Sequence, residues 1–168
     1  IVLADDKKAL DVAGVMGGKE TEIKESTQTI LLSASLFNPT MIRKTVNRLK
    51  LGSEASKRFY HGLTKKRLIQ AFDAAIKMFE DIGGKLTAVN ILGDLEDKIV
   101  KVNLTQDKIN SLIGVDIPAE QVEDSLQKLG FTIDKKGSGW QVTVPYWRLD
   151  VNIEEDLIEE VARLYGYE

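Results

Sequence analysis

Residues 118–144 have the sequence PAEQVEDSLQKLGFTIDKKGSGWQVTV, which encodes an amphipathic helix followed by a β-hairpin. In its first part, apolar residues recur at the spacing of one helix face, namely Val122, Leu126 and Leu129. Two short runs, 131–134 and 140–144, then flank a glycine-containing turn over residues 135–139. A helix beside an antiparallel hairpin is typical of the α+β class, which we expect here.

The same kinds of pattern predict the elements on either side of this stretch. Before it we expect strands over 1–4, 10–15 and 29–35, helices over 40–49 and 65–82, strands over 86–92 and 99–104, and a helix over 105–113. Thr105 is the expected N-cap of that last helix, and Gly114 its stop. The helix of the opening stretch covers 118–129, and a final helix over 153–165 follows the hairpin. The small residues at 52–56 either line a pocket or form a turn, and the turn is favoured.

Charge is distributed unevenly along the chain. Residues 1–93 contain 15 Lys+Arg against 10 Asp+Glu, whereas residues 94–168 contain 8 against 16. A polar, acidic, turn-prone stretch at 93–97 separates two apolar runs. We therefore expect two modules: a mixed α/β module over 1–93, and a small helix-and-strand module with the hairpin over 94–168.

Composition excludes several classes of site. The 168 residues are 43% hydrophobic and 29% charged, with no cysteine and one histidine. Disulfide frameworks, zinc–thiolate sites and cysteine nucleophiles are therefore excluded. No apolar run approaches the ~18 residues of a membrane span. Because Ile1 begins an expected strand, we expect the chain to be a piece of a larger soluble, intracellular protein.

Two features, the glycines of residues 14–18 and the single histidine, are candidates for a nucleotide site and a general base, and the sequence supports neither assignment. The glycines of residues 14–18 fit neither the dinucleotide nor the P-loop spacing, and no Lys-Ser/Thr pair follows them. A tight turn in which the backbone closely approaches another surface or a ligand is expected instead. His61 has no obvious acid partner nearby in the sequence, so we expect a surface or packing histidine rather than a general base.

Basic residues concentrate in residues 43–67, where Glu54 is the single acid. The candidates for contact with RNA phosphates are Arg43, Lys44, Arg48, Lys57 and Arg58. Such a cluster suits phosphate binding, and it equally suits a pair of solvated helix faces. Charge alone leaves both interpretations open.

Acidic residues concentrate in the final helix. Asp156, Glu159 and Glu160 follow the i, i+3, i+4 spacing of one face, and Asp150 lies just before the helix. Four convergent carboxylates suit Mg²⁺, which prefers oxygen ligands. Acidic residues in a first helical turn also interact favourably with the helix dipole, so the pattern leaves both a metal site and helix stabilisation open.

The order of these motifs resembles one family, the β subunit of bacterial phenylalanyl-tRNA synthetase. The matching stretches are AGVMGG (13–18), ILL (30–32), FNP (37–39) with IR (42–43), EASKRF (54–59) with Gly62, VPYWRLD (144–150) and IEEDLIEEVARLYGY (153–167). The resemblance implies that residues 1–93 are the later part of the editing module and that residues 94–168 are the small module after it.

The resemblance also implies partners and an activity for the whole protein. In this family a cytoplasmic α2β2 heterotetramer charges tRNA(Phe) with phenylalanine, using ATP as a substrate. Because the aminoacylation site lies in the α subunit, this piece alone is expected to be inactive in aminoacylation. The editing module of the family hydrolyses tyrosine wrongly attached to the tRNA, and no catalytic residue for that step is assigned here.

Family resemblance places the editing pocket at Gly14, Ser33, Ser53 and Ala55. Ser33 stands where the family has a glutamate, and Tyr60 and His61 replace an acid and a base. An uncharged hydroxyl binds a phenol more weakly than a carboxylate does. We therefore predict weakened discrimination of tyrosine.

The resemblance assigns a structural Mg²⁺, shared with the α subunit, to Asp150, Asp156, Glu159 and Glu160. Three alternatives stay open: a scaffold without hydrolytic activity, a free-standing RNA-binding protein that uses residues 43–67, and a metal-dependent hydrolase built on residues 150–160. The hydrolase is disfavoured because no base or nucleophile accompanies the carboxylates.

Overall fold

The structure, a computed structural model, describes residues 1–166, and the chain divides into two compact units after Glu96. The division falls within the acidic stretch 93–97 that the sequence analysis takes as the domain boundary. Six α-helices and two antiparallel three-stranded sheets form in the described residues, which confirms the predicted α+β class. Tyr167, the last residue of the family-like stretch, and Glu168 lie outside the described residues.

The first unit contains a small meander followed by three helices. Its elements are β1 (Leu3–Ala4), β2 (Ala9–Val12), β3 (Met16–Gly17), a 3₁₀ turn (Lys19–Thr21), α1 (Pro39–Leu49), α2 (Glu54–Tyr60) and α3 (Lys65–Asp81). Asn38 caps α1 by accepting hydrogen bonds from the backbone N–H groups of Thr40 (3.0 Å) and Met41 (3.2 Å). Proline at the first helical position suits this start, because its missing N–H would be unpaired there anyway.

Two strand predictions in the first unit are wrong. Residues 29–35 and 86–92 form neither helix nor strand. Leu31, near the centre of the first run, and Leu92, at the end of the second, are 89% and 88% exposed. Both runs have the composition of strands, but a strand needs a hydrogen-bonded neighbour, and the ladders of the described residues do not include either run.

Helix α2, strand β3 and the 3₁₀ turn are the elements of the first unit that the sequence patterns did not predict. The stretch 52–56 was expected to be a turn, and the structure instead begins α2 there. The missed signal is Ser53 followed by Ser56, since a hydroxyl residue three positions before another polar residue is a pattern of helix starts. Strand β3 has two residues and pairs with β2 at Asp11 and Val12.

The second unit packs three helices against one sheet. Its elements are β4 (Lys101–Thr105), α4 (Gln106–Ile113), α5 (Ala119–Lys128), β5 (Thr132–Lys136), β6 (Gly139–Thr143) and α6 (Glu154–Tyr165). The sheet order is β4-β6-β5, all antiparallel, with Trp140 opposite Leu104 on one side and Lys135 on the other. The predicted hairpin and the predicted helices of this half are confirmed.

One contiguous core stabilises this unit. Its most deeply buried side chains come from every layer: Leu104, Ile109, Val122, Leu126, Val142, Leu157 and Val161. They are the apolar positions of the helix and strand periodicities, so the sequence pattern and the core coincide. Among residues 1–166, none of the helices combines the length and the apolar content that crossing a bilayer requires.

Candidate functional site

Gly14 lies in the turn between β2 and β3 with a backbone φ of +71°. A Cβ at this position would lie 2.7 Å from Cδ2 of Phe37 and 2.8 Å from Cδ1 of Ile42, which is 1% exposed on α1. Glycine adopts this φ without steric cost and leaves room for the two side chains. The close approach of a tight turn to another surface, predicted from the glycines, is confirmed.

The hydroxyl of Ser53 joins this turn to α2. Its Oγ accepts a hydrogen bond from the backbone N–H of Ser56 at 3.1 Å and donates one to the carbonyl of Val15. Ser56, which is fully buried, completes a capping box. Its Oγ accepts a hydrogen bond from the Ser53 N–H at 2.9 Å and donates one to the Ser53 carbonyl at 2.8 Å. The one proton of the Ser53 hydroxyl is therefore used inside the protein.

Two of the four positions predicted for the editing pocket meet at this junction. The hydrogen bond from Ser53 to Val15 brings the start of α2 beside the turn that contains Gly14. Ala55 is exposed in the first turn of α2, and Ser33 is exposed in the irregular stretch before α1. The assignment of these four residues to a pocket stays a prediction.

The five predicted RNA-contact residues occupy two helices that pack together. All are exposed: Arg43, Lys44 and Arg48 on α1, and Lys57 and Arg58 on α2. Nη1 of Arg43 donates to the carbonyl of Tyr60 across the helix pair at 3.5 Å. Lys57 pairs with Glu54 at 2.6 Å and lowers the pKa of that carboxyl. His61 is exposed at the end of α2, as predicted for a surface histidine.

The acidic residues of α6 that form hydrogen bonds have different partners. Glu154 and Glu155 face α4, where the Lys108 ammonium lies 3.2 Å from Glu154 and also pairs with Glu155. These hydrogen bonds raise the pKa of Lys108 and lower that of Glu155. Oε1 of Glu154 accepts from the backbone N–H (2.9 Å) and the hydroxyl (3.0 Å) of Thr105.

The predicted N-cap residue of α4, Thr105, is confirmed, although its side chain makes no capping hydrogen bond. Thr105 does occupy the N-cap position of α4, but its hydroxyl donates to Glu154 instead of capping α4. The hydroxyl proton goes to a charged carboxylate, and such a hydrogen bond is stronger than one to a neutral acceptor. Gly114 ends α4 at a φ of +85°, as predicted.

Asp156 caps its own helix. Its Oδ2 accepts hydrogen bonds from the backbone N–H groups of Asn152 (2.7 Å) and Ile153 (3.0 Å). These N–H groups precede α6 and have no partner within the helix. The negative charge also interacts favourably with the positive end of the helix dipole. Helix stabilisation, one of the two interpretations of the acidic pattern, therefore accounts for this residue.

Asp150 and Glu160 share one partner, Arg148. Its Nε and Nη2 donate to the two oxygens of Asp150 at 2.9 and 2.7 Å, and Nη2 also donates to Oε1 of Glu160 at 3.0 Å. Arg163 donates to Oε2 of Glu160 at 2.6 Å. Hydrogen bonding to Arg148 lowers the pKa of both carboxyls, and these contacts raise the pKa of the guanidinium.

As arranged here, the four predicted ligands do not fit a magnesium site. Within residues 1–166, no three acidic, histidine or cysteine side chains converge closely enough to hold a metal ion. Asp150 and Glu160 are turned to Arg148, Asp156 binds backbone N–H groups, and Glu159 is exposed. Arg148 was not predicted as a site residue, although its position two residues before Asp150 is a signal for an ion pair. The shared Mg²⁺ stays an untested prediction.

Comparison with protein families defines the class of each unit. Residues 1–84 match the model of the B3/4 domain, and residues 102–167 match that of the tRNA synthetase B5 domain. The first match covers the meander and all three helices of the first unit, and the second covers nearly all of the sheet and helices of the other. The chain belongs to the B3/4 domain family, and its second unit is similar to the tRNA synthetase B5 domain.

The individual relatives that the chain matches are β subunits of one enzyme. The chain is 40% identical over 170 residues to the phenylalanine–tRNA ligase β subunit of Pectobacterium atrosepticum, covering 99% of this chain and 21% of the relative. It is 40% identical to the β subunit of Streptococcus pneumoniae (100% and 21%) and 39% identical to that of Neisseria gonorrhoeae (100% and 22%). The resemblance stated from the motifs is confirmed, and the chain spans about a fifth of the relatives' length.

Proposed function

We propose that the chain is the part of a phenylalanine–tRNA ligase β subunit that links tRNA editing to subunit assembly. In this proposal the whole protein works in the cytoplasm as an α2β2 heterotetramer with its α subunit and charges tRNA(Phe) with phenylalanine, using ATP. The observation that carries the proposal is the identity of about 40% along the entire chain, through both domains in the same order.

The first unit would handle the end of a mischarged tRNA. Phenylalanine and tyrosine differ by one hydroxyl, so an editing site must reward a hydrogen bond to the phenol. Of the two hydroxyls among the four pocket positions, that of Ser53 already donates to Val15 and accepts from Ser56. Ser33 is the exposed hydroxyl at the position where the family has a glutamate. We therefore propose that the protein discriminates tyrosine weakly.

The test of the enzyme role uses the full-length protein expressed with its α subunit. We expect the two to purify as one complex that charges tRNA(Phe) with phenylalanine, and we expect the 168-residue chain alone to form no aminoacyl-adenylate. A matched complex with Gly14→Ala in the β subunit should still form the adenylate, since that site lies in the α subunit. Failure of the full-length protein to associate with the α subunit would refute the proposal.

A second candidate function is RNA binding by the first unit without hydrolysis. It is favoured by one observation, the five exposed cations on the paired helices α1 and α2. Each phosphate that a cation neutralises steepens the fall of log K with log salt by about 0.7 to 0.9. Replacing Lys44 and Arg48 by glutamine should reduce that slope by about 1.5 for the 168-residue chain. A chain that does not bind tRNA at low salt excludes this function.

A further inference from the structure

We propose that Arg148 is the resident cation of Asp150 and Glu160, so that the chain neutralises this acidic site with its own guanidinium and not with Mg²⁺. The proposal concerns the second unit and does not rest on the proposed function. It begins from three hydrogen bonds of 2.7, 2.9 and 3.0 Å that one guanidinium makes to two carboxylates. A planar guanidinium is suited to such paired contacts, whereas Mg²⁺ requires a near-octahedral set of oxygens.

Arg148 is held in place by more than its acidic partners. Its backbone N–H donates to the carbonyl of Pro145 at 2.9 Å, which closes a turn after β6. Its guanidinium lies 5.7 Å from the centre of the Phe131 ring, and its side chain is 20% exposed. A cation at this distance from a shielded aromatic face gains further stabilisation. The position of the positive charge is therefore built into the loop.

The neighbouring Trp147 fixes the same loop against the end of α5. Gly130 has a φ of +85°, and a Cβ there would lie 2.9 Å from Cζ2 of Trp147. The indole therefore lies directly over the glycine. Trp147 thus packs on Gly130, and the next residue, Arg148, packs on Phe131. These two contacts hold the loop in the position from which the guanidinium reaches α6.

The charges of the cluster balance without a metal ion. Asp150 and Glu160 supply two negative charges, and Arg148 and Arg163 supply two positive ones. Glu160 is 8% exposed, so its charge needs a partner inside the protein. A divalent cation that entered here would have to displace the guanidinium and lose part of its own strongly held water. The two arginines already neutralise the carboxylates, whose uncompensated charge would otherwise favour metal binding.

The test measures thermal unfolding of the 168-residue chain, and calorimetric titration with MgCl2 near neutral pH both of this chain and of the full-length protein with its α subunit, because the Mg²⁺ expected from the resemblance is shared with that subunit. For the wild type, millimolar MgCl2 and EDTA with matched ionic strength should give melting temperatures within about 1 °C of each other. Neither titration should show a saturable heat, with a Kd below about 1 mM, that Glu160→Gln abolishes. Arg148→Met should lower the melting temperature by about 5 °C or more in both buffers.

Arg163→Met is the matched control. It removes the same charge from the same Glu160, but its side chain is 51% exposed, so the loss should be clearly smaller than for Arg148→Met. Saturable Mg²⁺ binding by the wild type that Glu160→Gln abolishes would overturn the proposal, as would an Arg148→Met chain as stable as the wild type. If Arg148→Met does not fold, the Mg²⁺ titration of the wild type and the melting temperature of Arg148→Lys, expected to be lower than that of the wild type, still decide.

Discussion

Replacing Gly14 by alanine should destabilise the first unit through two separable effects. The backbone φ of +71° costs a residue with a Cβ about 1–2 kcal/mol. The new Cβ would also lie 2.7 Å from the Phe37 ring and 2.8 Å from Ile42. Forcing a methyl group into a filled site typically costs about 1–3 kcal/mol. We therefore expect Gly14→Ala to lower the free energy of unfolding by about 2–5 kcal/mol.

Alanine substitutions at two other glycines separate the cost of the positive φ from the cost of the steric clash. Gly83 has a φ of +89°, and a methyl group added there would have no neighbouring atom within 4 Å. Gly17 has neither a positive φ nor a neighbour within 4 Å of that position. Gly83→Ala should therefore cost only the backbone part, about 1–2 kcal/mol, and Gly17→Ala about 0.5 kcal/mol or less. The expected order of destabilisation is Gly14, then Gly83, then Gly17.

Urea unfolding followed by far-ultraviolet circular dichroism measures these differences. Both tryptophans, Trp140 and Trp147, lie in the second unit, so their fluorescence follows that unit separately. The comparison of midpoints at equal slope gives the change in stability. A Gly14→Ala chain no less stable than Gly83→Ala would refute the argument that the turn is packed against Phe37 and Ile42.

Three further outcomes follow from the described contacts. Ser53→Ala removes the side-chain cap of α2 and the hydrogen bond to Val15, and should lower the free energy of unfolding in urea by about 1–2 kcal/mol. Ser53→Thr keeps a hydroxyl and should retain most of that stability. Glu123→Gln weakens the hydrogen bond from the Trp140 indole at 2.8 Å and should shift tryptophan fluorescence, and an unchanged spectrum contradicts that bond. Because the pKa of Glu160 is lowered on folding, its stabilisation is complete above the ordinary value of 4.5 and is lost as the pH falls below it. Melting temperatures measured at decreasing pH should therefore fall less steeply for Arg148→Met than for the wild type, and parallel curves argue against the pairing.

Local patterns predicted the helices and the hairpin of the second unit well. The helices over 118–129 and 153–165 lie within a residue or two of α5 and α6, because their apolar faces and flanking residues are encoded locally. The runs 29–35 and 86–92 show the opposite case. Their composition favours a strand, but pairing depends on a partner elsewhere in the chain that composition does not specify.

The candidate sites show the same division between local and long-range information. The i, i+3, i+4 spacing correctly placed Asp156, Glu159 and Glu160 on α6, yet it did not predict that each has a different environment. Arg148 reaches Glu160 only because the loop after β6 turns back towards α6. Sequence spacing within one helix holds no information about such a contact, so the spacing left a metal site and helix stabilisation open and did not predict the guanidinium.

The claim that the editing pocket is weakened at Ser33 is tested most directly by deacylation of preformed tyrosyl-tRNA. The assay uses the full-length protein with its α subunit and compares the wild type with Ser33→Glu, with Ser33→Gln as the uncharged control of equal length. Exchanging a neutral for a charged hydrogen-bond partner is worth about 1–1.5 kcal/mol, or about tenfold in rate. The account predicts slow hydrolysis by the wild type and a gain of about tenfold for Ser33→Glu. Hydrolysis by the wild type that is already as fast as that of Ser33→Glu would contradict it.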